Sequence, residues 1–192
     1  ANGVFHHAGR ISLEPELLKR VQVEVGAGSA TAGPGALGGS INFETKSPSD
    51  LLQDEQRFGG LLKASYFDNG GRQKLSGTFY ADFGEVVSGM VSAVDSSQGD
   101  LLEDGGGNEL PGTDADTSLG FAKFVFNLGE GQELSLSYED ISVEGDLPYK
   151  SEWAADVLVP TEATRNTSTL NYSLFANDYL NIKATAYDTE NQ

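Results

Sequence analysis

The sequence predicts an all-β chain whose antiparallel strands run up and down as part of a membrane-crossing barrel. Three observations predict it. After about residue 56, apolar and polar residues alternate in seven segments, each punctuated by Gly, Asn or Asp. Each segment runs about ten to fourteen residues, longer than soluble strands usually are and enough to cross a bilayer at a tilt. Short and long connections alternate, which collects the tight turns at one end and the long loops at the other, the asymmetry of barrels with short periplasmic turns.

The segments follow in order. In "RFGGLLKASYF", Phe58, Leu62, Ala64 and Tyr66 share one face against Lys63 and Ser65. "KLSGTFYADF" sets Leu75, Gly77, Phe79, Ala81 and Phe83 against Lys74, Ser76, Thr78, Tyr80 and Asp82. "VVSGMVSAVD" and "SLGFAKFVFNL" are apolar on both faces in places, so their register stays open at this point. "ELSLSYED" sets Leu134, Leu136 and Tyr138 against Glu133, Ser135, Ser137 and Glu139. "TSTLNYSLFA" places Leu170, Tyr172, Leu174 and Ala176 together, and "YLNIKATAY" does the same for Leu180, Ile182, Ala184 and Ala186. Tight turns fall at 84–85, 129–131 and 177–178, and long polar loops at 98–114 and 146–161. "NGG" at 69–71 is a short connection on the long side.

Period 2 alone does not say whether an apolar face meets lipid or a second protein layer. The alternative is therefore a soluble or secreted β-rich module, such as an adhesin domain, with those faces in its core. Strand length favours the barrel, as do polar faces of Ser, Thr, Asn and scattered charges that suit a wet lumen. No stretch of about eighteen apolar residues marks a membrane helix, and the N-terminus does not read as a signal peptide.

Composition narrows the function classes. With 192 residues and a net charge of −17, the chain lacks the clustered Lys and Arg that phosphate backbones require, so no nucleic-acid partner is expected. It has no cysteine, hence no disulfide framework or thiolate metal site. No G-x-S-x-G elbow, H-E-x-x-H or Cys nucleophile is present, and its carboxylate pairs lie in loops, so the chain is not expected to be an enzyme. "GPGALGG" at 33–39 does contain G-x-G-x-x-G through Gly33, Gly35 and Gly38. A pyrophosphate would need a helix N-terminus after these glycines. Ile41, Phe43 and Thr45 instead alternate with Ser40, Asn42 and Glu44, a strand pattern.

The stretch Pro15 to Pro48, "PELLKRVQVEVGAGSATAGPGALGGSINFETKSP", resembles the end of the plug domain of TonB-dependent outer-membrane receptors. The pattern is a short helix, an "RVEV" strand, a Gly/Ser/Ala-rich loop, "G-x-G-A-x-G-G" and "I-N-x-x-T-K". Here it is carried by Arg20, Val21, Val23, Glu24, Val25, Gly33, Gly35, Ala36, Gly38, Gly39, Ile41, Asn42, Thr45 and Lys46. Ala27 and Ala32 stand where the family often has Pro and an aromatic residue. The resemblance gives the glycines a structural purpose: a threaded plug needs close backbone approach and tight reversal.

The resemblance implies residues 1–50 as the C-terminal part of a small α+β plug, and 51–192 as about seven N-terminal strands of a partial transmembrane antiparallel β-barrel. The chain would then be a fragment, with the signal peptide, the TonB-contacting segment and most of the barrel outside it. It implies a bacterial outer-membrane location, membrane lipid and the TonB complex as partners, and uptake of an iron complex, haem or a ferric siderophore. That complex would be cargo, with no resident cofactor expected.

Candidate ligand residues follow by the same analogy. His6 and His7 are the only histidines, and a neutral imidazole can ligate haem iron, although polar plug surface is the plainer reading. Tyr149 and Trp153, in "YKSEW", can stack on cargo or belong to an interfacial girdle. The acidic loop, with Asp100, Glu103, Asp104, Glu109, Asp114 and Asp116, fits no Ca²⁺-binding spacing and reads as a solvated loop. Arg20 and Glu24, on one face of the plug strand, are expected to pair with charges on the barrel wall.

Overall fold

The computed structural model describes residues 14–26, 38–150, 154–177 and 179–192, without the side chains of 148–150 and 154–156. Backbone contacts divide the chain into two units between Leu51 and Leu52.

In the first unit, Pro15–Leu17 form a single 3₁₀ turn, where the missing proline N–H leaves no helical bond unmade. The expected short helix is therefore only this turn. Strand β1, Leu18–Val25, begins at once and absorbs the rest of "LLKR". It pairs antiparallel with β2, Gly39–Thr45. One face of the ribbon sets Val21 opposite Phe43 and Val23 opposite Ile41; the other sets Arg20 opposite Glu44, Gln22 opposite Asn42 and Glu24 opposite Ser40. Gly39 permits this pairing. Its φ is +135°, and a Cβ there would collide with the carbonyl oxygen of Glu24, so any other residue is strained. A second 3₁₀ turn, Pro48–Asp50, is held by Ser47 N–H donating to Asp50 Oδ2 at 2.8 Å. Lys46 ties the two ends together, its Nζ donating to Glu16 O and its backbone N–H to Leu17 O, both at 2.8 Å.

The second unit is a seven-stranded antiparallel meander. It comprises β3 (Phe58–Phe67), β4 (Arg72–Asp82), β5 (Val87–Ser97), β8 (Asp116–Gly129), β9 (Gln132–Lys150), β10 (Ala154–Asn177) and β11 (Leu180–Asn191). Each strand pairs with the next, leaving β3 and β11 as edges. Between β5 and β8 lies a two-stranded ribbon, β6 (Leu102–Glu103) with β7 (Glu109–Leu110).

The expected long loop at 146–161 is corrected. β9 and β10 run through most of it, pairing from Glu144 opposite Glu162 up to Pro148 opposite Leu158. β9 has 19 residues and β10 has 24, well beyond the ten to fourteen the alternation suggested. An outlying hairpin needs no apolar face, so hydropathy gives no sign of it, and Pro148 and Pro160 resemble loop punctuation.

The ladder registers put one apolar row on a single face of all seven strands. Phe79 lies opposite Gly60 and Val91, Val91 opposite Ala122, and Ala122 opposite Tyr138. Leu136 lies opposite Phe124 and Leu170, and Leu170 opposite Ala186. This settles the two open segments: Gly89, Val91 and Ala93 of β5, and Ala122, Phe124 and Phe126 of β8, join the apolar row. Phe124 lies across Gly89, where a Cβ would come within 2.9 Å of its ring.

Candidate functional site

The apolar row is the exposed face. Leu62 is 77% exposed, Phe79 52% and Leu136 40%, and among the described residues no second layer covers them. The soluble-module alternative required that layer and is set aside. Large apolar side chains exposed along seven strands exceed what a water-facing surface carries. Phe58, Phe83, Phe126 and Tyr172 lie toward the short-turn end of this face, with Tyr66 and Tyr138 toward the other, the placement of aromatic girdles. The Tyr172 hydroxyl donates to Gln132 Oε1 at 2.9 Å, which settles the polar tip of an otherwise apolar ring.

The opposite face carries the buried residues. Tyr80, Met90, Val94, Leu119, Phe121 and Ile141 are buried there together with Ser76, Ser92, Ser135 and Lys123. It is more apolar at its centre than the sequence suggested. Its polar groups pair laterally: Thr78 Oγ1 and Ser92 Oγ are 2.8 Å apart, and Thr185 Oγ1 donates to Asn171 Oδ1 at 2.8 Å. Arg165 Nη2 reaches Glu139 Oε1 at 2.9 Å across β9 and β10, both side chains largely buried.

At the end with the longer connections, the segment after β5 is knotted to the Asn69–Gly71 turn. Arg72 Nε donates to Gln98 Oε1 at 3.0 Å, and Gln98 N–H to Asp116 Oδ1 at 2.9 Å. Asn69 exchanges two bonds with the Glu103 backbone, at 3.0 and 2.8 Å. Asp104 Oδ1 accepts from the N–H groups of Gly106 and Asn108, at 2.8 and 2.9 Å. These bonds, that from Asn108 first, hold the exposed Asp104 carboxyl below its ordinary pKa. A recess of about 510 Å³ here is lined by Tyr66, Asp68, Asp100, Glu103 and Glu109. Among the described residues, no three Asp, Glu or His side chains converge to hold a metal ion.

No family model matches the chain. Over 173 residues it is 31% identical to the heme transporter BhuA of Brucella ovis, a match covering 88% of this chain and 25% of BhuA. Over 75 residues it is 39% identical to the TonB-dependent heme receptor A of Haemophilus ducreyi, covering 39% of this chain and 10% of that protein. A solved structure of the Serratia marcescens hemophore receptor HasR, in complex with its hemophore HasA and heme, superimposes with a TM-score of 0.78 at 26% identity. That match covers 94% of this chain and 26% of HasR.

The chain belongs to the TonB-dependent receptors.

The FrpB iron transporter of Neisseria meningitidis shares the fold, with a TM-score of 0.83 at 24% identity, over 95% of this chain and 30% of FrpB. The chain thus spans about a quarter of the length of BhuA and of HasR. Its seven strands are a partial TonB-dependent barrel, whose exposed apolar row is the outward face and whose other face lines the lumen. The relatives are named as transporters and receptors, not as enzymes.

Of the residues singled out in the sequence, the β1–β2 ribbon of this receptor holds Arg20, Glu24, Gly39, Asn42 and Thr45. The Arg20 guanidinium bonds Glu44 on the neighbouring strand, with Nε to Oε2 at 3.0 Å, because antiparallel register brings the two side chains together. Glu44 also lies 3.8 Å from Lys19, whose ammonium bonds Asp50 at 2.7 Å. That bond raises the Lys19 pKa above its ordinary value. Asn42 Nδ2 donates to Gln22 Oε1 at 3.4 Å. Gly38 adjoins the ribbon with open space where a Cβ would stand, so the steric need falls on Gly39. His6, His7, Gly33, Gly35 and Trp153 lie outside the described residues, and of Tyr149 only the backbone, in β9, is described.

Proposed function

We propose that the receptor containing this chain imports haem-bound iron across the bacterial outer membrane, with energy delivered through TonB. Residues 1–50 form the end of the plug that gates the lumen, and residues 51–192 form the wall on one side of it. Further strands close the barrel, since an open sheet edge in lipid leaves backbone groups unsatisfied at several kcal/mol each. The observation that carries this reading is the apolar row, exposed in register on all seven strands, in a chain whose sequence relatives are named for heme. A membrane face of this kind needs lipid, and the outer membrane is where this receptor family resides. His6 and His7 are the proposed iron-facing candidates of the plug, and Tyr149 and Trp153 the stacking candidates.

The test is growth. A strain that carries the whole receptor and has no other iron import should grow on haem as sole iron source, and lose that growth when TonB is removed. Growth on haem without the receptor, or unchanged growth without TonB, would overturn the proposal. Growth on a ferric siderophore and not on haem would replace the cargo and keep the transport mechanism.

A further inference from the structure

The strand charges are sorted by face. Lys63, Arg72, Lys74, Lys123, Arg165 and Lys183 all lie on the lumen face, on five different strands, as the registers fix. Among the described strand side chains, no Lys or Arg shares the outward face. The acids are distributed the other way. Asp95, Asp116, Asp140, Asp188 and Glu190 all belong to the outward row, beyond its apolar stretch. On the lumen face the strand acids are Asp82 and Glu133, beside the short turns, and Glu139, which Arg165 engages at 2.9 Å.

This sorting is not what a chain of net charge −17 produces by default. The cations descend the wall in order. Arg72 lies at the end with the longer connections, Lys74 one rung pair below it opposite Ser65, and Lys63 next, opposite Ser76. Lys123 follows, beside Met90 and Ser137, and Lys183 lies nearest the short turns, opposite Ser173. Lys63 and Lys183 are exposed and Lys74 is half-buried. Lys63, Lys74 and Lys123 already engage neighbours, so an arriving anion exchanges one contact for another. The segment 1–51 is nearly neutral, with four Lys or Arg against five Asp or Glu. A lumen wall on which one sign of charge outnumbers the other concentrates ligands of the opposite sign and raises their rate of entry.

We propose that this cationic ladder guides the carboxylates of a tetrapyrrole cargo down the lumen wall, Lys63, Lys74 and Lys183 being its accessible rungs. The inference rests on the haem reading above and adds which end of the cargo the wall recognises.

The experiment compares uptake of haem with uptake of its dimethyl ester, which has the same ring and iron but no carboxylate charge. It uses the whole receptor in cells, with Lys63→Gln, Lys74→Gln and Lys183→Gln combined. Haem uptake at low ionic strength should fall about tenfold, within the range that electrostatic steering supplies, and lose its salt dependence, with ester uptake unchanged. Replacing the same three residues by Arg should restore haem uptake, which separates lost charge from lost folding. Unchanged haem uptake in the Gln variant, an equal loss for haem and ester, or failure of the Arg variant to restore uptake would each overturn the inference. If the wild-type receptor imports neither compound, the haem reading fails and this inference with it; if it imports both and the variant matches it, only the inference fails.

Discussion

Leu61 and Leu62 are adjacent, alike in chemistry and on opposite faces of β3, which makes them a controlled pair. Leu62 lies opposite Gly77 in the middle of the outward row and is 77% exposed; Leu61 lies opposite Thr78 on the lumen face and is 48% exposed. Burying a leucine side chain is worth about 2 kcal/mol, so lipid covering roughly three quarters of Leu62 contributes about 1.5 kcal/mol. Leu62→Arg loses that contribution and places a cation near the bilayer midplane, about 2–4 kcal/mol in total. Leu61→Arg enters a lumen wall and should cost under about 1 kcal/mol. The gap of about 2 kcal/mol is roughly thirtyfold in the folded population. Denaturant titration of the whole receptor in lipid vesicles would read it as a lower midpoint for Leu62→Arg at unchanged slope. Equal midpoints, or a larger loss for Leu61→Arg, would refute the assignment of faces.

Two further outcomes follow from the β1–β2 ribbon and the loop knot. Gly39→Ala should destabilise the ribbon by about 1–3 kcal/mol, the cost of forcing a side chain into a positive-φ position, and hydrogen exchange across Val21–Val25 should quicken; Gly38→Ala, with open space around it, should change neither. Asp104 has a lowered folded pKa, so the order it gives its turn is present above the unfolded value of 3.8 and lost as pH falls through the lower folded value. Protection of the Gly106 and Asn108 amides should therefore hold at neutral pH and fail in acid, and Asp104→Ala should remove it at every pH.

Much of the wall was legible in the sequence because lipid imposes a simple rule: one apolar residue in two, on every strand. Leu75, Phe79, Leu136 and Leu170 occupy the face that alternation assigned to them. β5 and β8 resisted that reading because Met90, Val94, Leu119 and Phe121 are also apolar, yet they belong to the buried lumen face. Only the ladder from β4 through β9 fixes which set faces out. The β9–β10 hairpin above residue 146 was missed for the opposite reason, since a ribbon beyond the membrane has no periodic constraint to display. The bond between Arg20 and Glu44 was not legible from either strand alone, because it depends on the antiparallel return that sets the two residues opposite each other. The cation ladder was visible residue by residue, as Lys63, Lys74 and Lys183 opposite apolar neighbours, but its common sign emerges only when the six registers joining the seven strands are aligned.

The stretch Leu134 to Tyr138 offers the most direct measurement. This segment contains no cysteine, so a spin label can be introduced at each of its five positions in turn in the membrane-embedded receptor. Collision with oxygen, which dissolves in lipid, should be high at Leu134, Leu136 and Tyr138 and low at the buried Ser135 and half-buried Ser137, and of the two serines Ser137 should meet a water-soluble nickel chelate more often. An oxygen profile that is flat, or that peaks at the two serines, would contradict the claim that the apolar row of these strands meets the membrane.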